Sequence, residues 1–338
     1  MLLNSCLSAH MTSRFGSTSP WSTRRNVLRN RTSPRREGLN RLLSSRGERI
    51  SRVYSIRSVR YSSRSGRMET RFREMIQPAS ELLETARQAA ELGADILDNG
   101  SSGRVRAKGD RDYVTDLDVR IQSEIQKYLQ RETPEVNFLG EESSENRSFS
   151  AGSTFWVLDP IDGTSNFIHG VPLSAVSLAL VQDGEPTVGV IIAPFLNLEY
   201  HAVRGLGSFR NGESVSASST PNLRQAIVSI GDYAVGENAA EKNRHRLSLT
   251  AALASNVERI RMFGSAALDL AWVADGRTDA CVIMSNKPWD VAAGVLLARE
   301  SGAVVSDSTG NRHTLSSADT IAVGPSIEAD LLGLLQAA

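Results

Sequence analysis

Asp159 and Asp162 stand three residues apart in the run Trp156–Val157–Leu158–Asp159–Pro160–Ile161–Asp162–Gly163–Thr164–Ser165–Asn166–Phe167. Two carboxylates delivered by one hydrophobic strand can share hard cations, which prefer oxygen ligands. Pro160 stiffens the turn between them, and Gly163 lets the backbone turn sharply. Thr164 or Ser165 can then open a helix, and the N–H groups of Gly163, Thr164 and Ser165 form an anion site fit for a phosphate. An Asp-Gly pair alone is more often a plain polar turn, but a turn requires neither two acids nor this flanking order. Three further segments carry acids. Glu141 and Glu142 follow Phe138–Leu139–Gly140, where paired glutamates are ordinarily just surface, with Glu142 solvated. Asp118 ends Asp112–Tyr113–Val114–Thr115–Asp116–Leu117–Asp118, where it and Asp116 suit a helix N-terminus. Asp290, in Trp289–Asp290–Val291–Ala292–Ala293–Gly294, reads as the cap of the helix that follows.

The elements that must hold these residues follow from hydrophobic period. Helices are expected over 70–97 (Leu82, Leu83, Ala86, Ala90 and Ile96 on one face) and 117–130 (Ile121, Ile125 and Leu129). Short strands cover 136–139 and 154–158, the second stopping at Asp159. A hairpin joins 176–181 to 187–193 through a Gly-containing loop, and strands at 198–203 and 208–211 continue it. After that, strands at 226–230, 260–263, 280–284, 303–305 and 320–323 alternate with helices at 239–254, 266–274, 291–301 and 327–335.

The net charge of zero hides an asymmetry. Residues 1–67 hold fifteen Arg, no Lys and only two acids, so the rest of the chain carries the balancing negative charge. That Ser-rich segment lacks an apolar period, and the expectation is a disordered extension followed by a catalytic domain over 68–338. An early start codon ahead of Met68 is the first explanation, and an organelle transit peptide the second. A basic nucleic-acid-binding arm is the third, which keeps open an RNA-associated regulatory protein with a vestigial site. No apolar run reaches the ~20 residues of a membrane span. Two distant cysteines, Cys6 and Cys281, suit a reducing, cytoplasmic setting.

The four acidic segments, in this order, resemble the signatures of the inositol monophosphatase family, and weaker similarity extends over about 70–336. Two further marks are Gly205-x-Gly207-x-Phe209-x-Asn211–Gly212 and Gly264–Ser265–Ala266–Ala267. The resemblance implies a five-layered α-β-α-β-α sandwich and Mg²⁺-dependent hydrolysis of a small phosphorylated metabolite, with two or three ions per site. It gives one ion to Glu141, Asp159 and the Ile161 carbonyl, and a second to Asp159, Asp162 and Asp290. Thr164, polarised by Asp118, would orient the attacking water. Gly163, Thr164, Ser165, Ser265 and Ala266 would line the substrate site. An all-oxygen ligand set suits Mg²⁺ over Zn²⁺. Li⁺ inhibition and homodimerisation come with the family.

The same resemblance implies inositol 1-phosphate as first substrate, with one departure. Many members carry a Glu, contacting inositol hydroxyls, where this chain has Ile283. Ser285 or Asn286 can supply polar contacts instead, and Lys287 either meets a second anionic group or is a loop charge. Histidinol phosphate, fructose 1,6-bisphosphate and 3′-phosphoadenosine 5′-phosphate stay open.

Overall fold

The structure is a computed structural model that describes residues 66–143 and 153–337; the expected disordered extension lies almost wholly outside them. Helix α1 (Gly66–Asn99) is followed by the hairpin β1 (Val105–Gly109) and β2 (Asp112–Thr115), helix α2 (Asp116–Glu132) and strand β3 (Asn137–Gly140). Strand β4 (Thr154–Asp162) leads into the short helix α3 (Thr164–His169). A meander of β5 (Ala175–Gln182), β6 (Glu185–Ala193), β7 (Leu198–Val203), β8 (Gly207–Arg210) and β9 (Glu213–Ser214) completes a seven-stranded sheet in sequence order. Only the β3–β4 pair in it is parallel.

The remaining elements are β10 (Ile227–Ile230), α4 (Ala239–Asn256), β11 (Arg259–Arg261), α5 (Ala266–Ala274), β12 (Ala280–Ile283), α6 (Pro288–Glu300), β13 (Val304–Ser306), β14 (Thr320–Val323) and α7 (Glu328–Ala337). Their strands form a second sheet, ordered β11-β10-β12-β14-β13.

Alternation along the strands assigns the layers. Trp156, Leu158, Leu178 and Val190 pack under α1 and α2 with Leu97, Ile121 and Ile125. Their neighbours Phe155, Val157, Ala179 and Ile191 point the other way, onto Leu268 and Ala271 of α5 and Ala293 and Leu297 of α6. The far sides of those two helices, through Leu270, Val273, Val291 and Val295, meet Cys281, Val305 and Ala322 of the second sheet. That sheet's outer face, with Val228, Val282 and Ile321, is covered by Leu249 and Leu253 of α4 and Leu331 of α7. The result is the α-β-α-β-α sandwich. Gly294 permits the central helix pair, since a Cβ there would come 2.5 Å from Leu270 Cβ.

Three local expectations needed correction. Strand β4 runs on through both aspartates instead of stopping before them, because the missing N–H of Pro160 is absorbed by an irregularity in the pairing with β5 between Asp159 and Asp162. The β5–β6 loop shrinks to Asp183–Gly184, both at positive φ, as a tight two-residue hairpin requires. The β1–β2 hairpin gave no sequence signal, because every residue of β1 is exposed and no alternation exists to detect.

Candidate active site

The irregularity in β4 arranges the first two acids. Asp159 pairs with Ser177 and Asp162 with Ala175, so three steps on one strand match two on the other. An extra residue of this kind re-aims the side chains beyond it. Both carboxylates therefore lie on the face turned to α5 and α6, although a regular strand would put residues three apart on opposite faces. Both are 4% exposed. Ile161 is the residue sent the other way, into the core under α1. Its N–H donates to Asp159 Oδ1 (3.0 Å), and its carbonyl lies 3.0 Å from Thr164 Oγ1.

Glu141 follows β3, which is parallel to β4, so the two strands release their acids at the same end. The Glu141 N–H donates to the Leu158 carbonyl at 3.1 Å, just before Asp159. Its side chain meets Lys108 of the β1–β2 hairpin, with Nζ 2.5 Å from Oε1, a contact that no local sequence signal announced. Glu142, expected to be solvated, is instead only 9% exposed at its side chain and 3.0 Å from Lys108 Nζ. Its N–H donates to Gln122 Oε1, which draws it inward.

Asp290 is not the cap of α6. The helix begins two residues earlier at Pro288, a residue preformed for the first helical position, so Asp290 falls in the first turn. Its Oδ2 accepts the Lys287 N–H at 2.7 Å. On the other flank, Thr164 Oγ1 lies 3.2 Å from Asp118 Oδ1. Asp118 is fully buried and is fixed from behind by Thr115, whose N–H donates to Oδ2 at 2.9 Å and whose hydroxyl bonds the same oxygen. Thr115 in turn caps α2, accepting from Leu117 and Asp118. This reciprocal cap was present in the Thr115-x-x-Asp118 spacing. Gly163 stands at φ 85°, and a Cβ there would sit 2.6 Å from the Leu173 carbonyl, so only glycine makes this turn. Asn166 braces it, Nδ2 donating to the carbonyls of Leu173 (2.9 Å) and Phe263 (2.7 Å).

The electrostatics are those of crowded acids. Burial pushes Asp159 well above the ordinary carboxylate range, and Glu141, Asp162 and Asp290 add repulsion. Burial takes Asp162 up to about 7 against hydrogen bonds from Ser265 and the Ala267 N–H. Asp290 is pushed up to about 7 for the same first reason, with Asp162 and Glu141 adding to it. Burial also raises Asp118. Asp162 Oδ2 accepts the Ala267 N–H at 3.0 Å, but its Oδ1 is buried with no hydrogen-bond partner among the described residues. An orphaned carboxylate oxygen beside other acids, with every candidate donor an oxygen, fits a hard divalent cation. As the side chains stand, with Glu141 drawn to Lys108, no three acidic, His or Cys side chains among the described residues close on one point.

A cavity of about 320 Å³ opens beside these acids. Gly264, Ser265 and Ala266 form its near wall and Ile283, Met284 and Ser285 its apolar-to-polar side. Ser265 also caps α5, its Oγ accepting the Leu268 N–H. Ser165 is exposed on the first turn of α3. Lys287 is exposed at the start of α6 and is not among the residues lining this cavity. The far wall carries Lys242 and Arg246 of α4, which the sequence alone did not single out.

Comparison with known proteins places this geometry. The model of the inositol monophosphatase family matches residues 73–337. An inositol monophosphatase from Dictyostelium discoideum is 38% identical over 250 residues, covering 72% of this chain and 91% of that protein. A fructose-1,6-bisphosphatase/inositol-1-monophosphatase from Thermotoga maritima is 38% identical over 202 residues, 60% of this chain and 74% of that protein. The crystal structure of the extragenic suppressor protein suhB from Bartonella henselae superposes with a TM-score of 0.70 at 33% identity, covering 76% of this chain and 98% of that one. The layered fold is thus that of a known group, and this chain belongs to the inositol monophosphatase family of phosphomonoester hydrolases.

Proposed function

We propose that the protein hydrolyses a small phosphomonoester with Mg²⁺, inositol 1-phosphate being the first substrate to test. The observation that carries this reading is the uncompensated Asp162 Oδ1 amid buried acids whose charged forms disfavour one another. Glu141, Asp159 and the Ile161 carbonyl would hold one ion, and Asp159, Asp162 and Asp290 another. Bound there, Mg²⁺ supplies charge neutralisation and a water acidified enough to attack phosphorus. The chain's own part is placement. Asp118, raised by burial, is a proton acceptor one hydrogen bond from Thr164. Thr164 Oγ1 can take the proton of an incoming water as its own moves toward Asp118. The N–H groups of Gly163, Thr164 and Ser165 would receive the phosphate oxygens one by one, since a six-residue helix adds little macrodipole.

The P–O bond to the leaving group breaks as water oxygen bonds to phosphorus, yielding an alcohol and inorganic phosphate. No protein nucleophile is needed, which suits a site without a nearby Cys or His. A homodimer acting in the cytoplasm belongs to the same reading and rests on the family alone. Phosphate release by the full chain, with and without Mg²⁺, tests it. The panel is inositol 1-phosphate, histidinol phosphate, fructose 1,6-bisphosphate and 3′-phosphoadenosine 5′-phosphate. Mg²⁺-dependent release from at least one is expected, and silence on all four would overturn the reading.

A second substrate class has an observation in its favour. Ile283 sits in the cavity wall where a polyol-binding acid would be needed, and the Thermotoga relative carries a double name that includes a bisphosphatase.

A further inference from the structure

The cavity beside the acids has two walls of opposite character. Its near wall, Gly264 to Ala266, adjoins Asp162 through the Ala267 N–H. Its far wall is the first two turns of α4, where Lys242 and Arg246 lie four residues apart and so on one helix face. Arg246 is 9% exposed, unusual for an arginine, and its Nη1 donates to the Asp232 carbonyl at 2.7 Å. That bond fixes the guanidinium in the wall and uses one of its five N–H donors. Lys242 is exposed, and among the described residues no acid pairs with its ammonium. Asp232 also lines the cavity and attracts Arg246 against the effect of its burial. Asp269 lines the cavity too, but it is 1% exposed and burial holds its carboxyl well above the ordinary range, which favours its neutral form. Between the walls, Ile283 and Met284 offer nothing to a ring of hydroxyls.

A guanidinium fixed in a wall by a carbonyl and a second cation four residues away make a receptor for an anion across the cavity from Gly264–Ala266, with Asp232 drawing on Arg246 alone. A guanidinium fork with an ammonium beside it suits phosphate oxygens. We propose that Lys242 and Arg246 bind a second phosphate on the leaving group, so that the preferred substrates are small sugar or polyol bisphosphates. The proposal rests on the phosphomonoesterase reading above and narrows its substrate class. Inositol 1-phosphate would be accepted more weakly, lacking the distal group.

The test is calorimetric titration of the full chain, with Ca²⁺ in place of Mg²⁺ to prevent turnover. The probes are fructose 1,6-bisphosphate, fructose 1-phosphate and fructose 6-phosphate. The wild type should bind the bisphosphate about ten-fold or more tighter than either monophosphate, as one or two charge-assisted hydrogen bonds predict. Lys242→Gln and Arg246→Gln should each remove most of that preference and leave monophosphate affinity unchanged, and Lys242→Arg should retain it. A wild type without preference, or variants that weaken all three ligands alike, would overturn the proposal. Should Arg246→Gln fail to fold, Lys242→Gln decides alone, since Lys242 is exposed. Failure of the underlying phosphatase reading looks different, namely no Mg²⁺-dependent phosphate release by the wild type.

Discussion

A half-buried glutamate and a cluster of crowded aspartates in this molecule have opposite fates. Glu199 on β7 faces Arg87 of α1, with Nε 2.5 Å from Oε1 and Nη2 3.1 Å from Oε2, and His201 Nδ1 3.3 Å away. Burial would push Glu199 up, but His201 and Arg87 more than offset it and hold the carboxyl at about 2. Asp159 and Asp162, both buried, and Asp290, partly exposed, crowd one another instead, and all three are raised. Glu199 has its cation built into the sequence and serves to pin α1 to the large sheet. Asp159, Asp162 and Asp290 have no such cation among the described residues, and crowded acids of this kind are what a bound cation would stabilise.

The largest expected effect breaks the contrast on the functional side. Asp159→Asn removes the carboxylate that would bridge two ions, and Mg²⁺-dependent turnover should fall by about a thousand-fold or more. Circular dichroism should show the fold retained, and turnover near the wild-type rate would sink the metal assignment. Thr164→Ala comes next, with kcat falling by about a hundred-fold and metal affinity little changed. A loss confined to metal binding would show that Thr164 and Asp118 do not act as a pair.

A pH titration of metal-free stability separates the two regions by sign. Asp162 and Asp290 keep a proton up to about 7 in the folded chain but release it near the ordinary value when unfolded. The folded state then binds more protons between those limits, so its stability falls as pH rises through that window. Glu199 acts oppositely, its stabilisation being present above the ordinary carboxylate range and lost as pH falls towards about 2. Thermal melts with chelator should therefore show stability falling as pH rises from about 4 to about 7, and saturating Mg²⁺ should add more protection at the upper end. Equal Mg²⁺ protection at both ends would contradict the assignment of these acids as ligands. The smallest effect breaks the structural side. Glu199→Gln weakens the Arg87 contact and should cost about 1–2 kcal/mol in urea denaturation with kcat untouched. A change in kcat would join two regions that the comparison separates.

Much of this was legible because it is local. The apolar period of α2 and the Thr115–Asp118 cap lie within one turn of chain, and Gly163 declares its own turn. Where reading failed, contact partners were remote or a pattern was missing. Lys108 reaches Glu141 across 33 residues from an exposed hairpin with no alternation. Arg246 carries no local signal in the sequence, and its bond to the Asp232 carbonyl is what builds it into a wall. Asp290 reads as a cap when taken alone, but Pro288 starts the helix two residues earlier and puts it in the first turn.

The sequence by itself determined which residue types could do the chemistry and the strands and helices that carry them, since periodicity and capping are properties of a few neighbouring residues. Only the tertiary structure decided how they meet. The irregularity that turns Asp159 and Asp162 to one face needs β5 as its partner, and the parallel β3–β4 pair brings Glu141 to the same end. The cavity needs α4, packed on the outer face of the second sheet, to come beside the Gly264–Ala266 segment. Such juxtapositions are set by the layers closing on one another, a consequence of burying two-sided sheets that no short stretch of residues encodes.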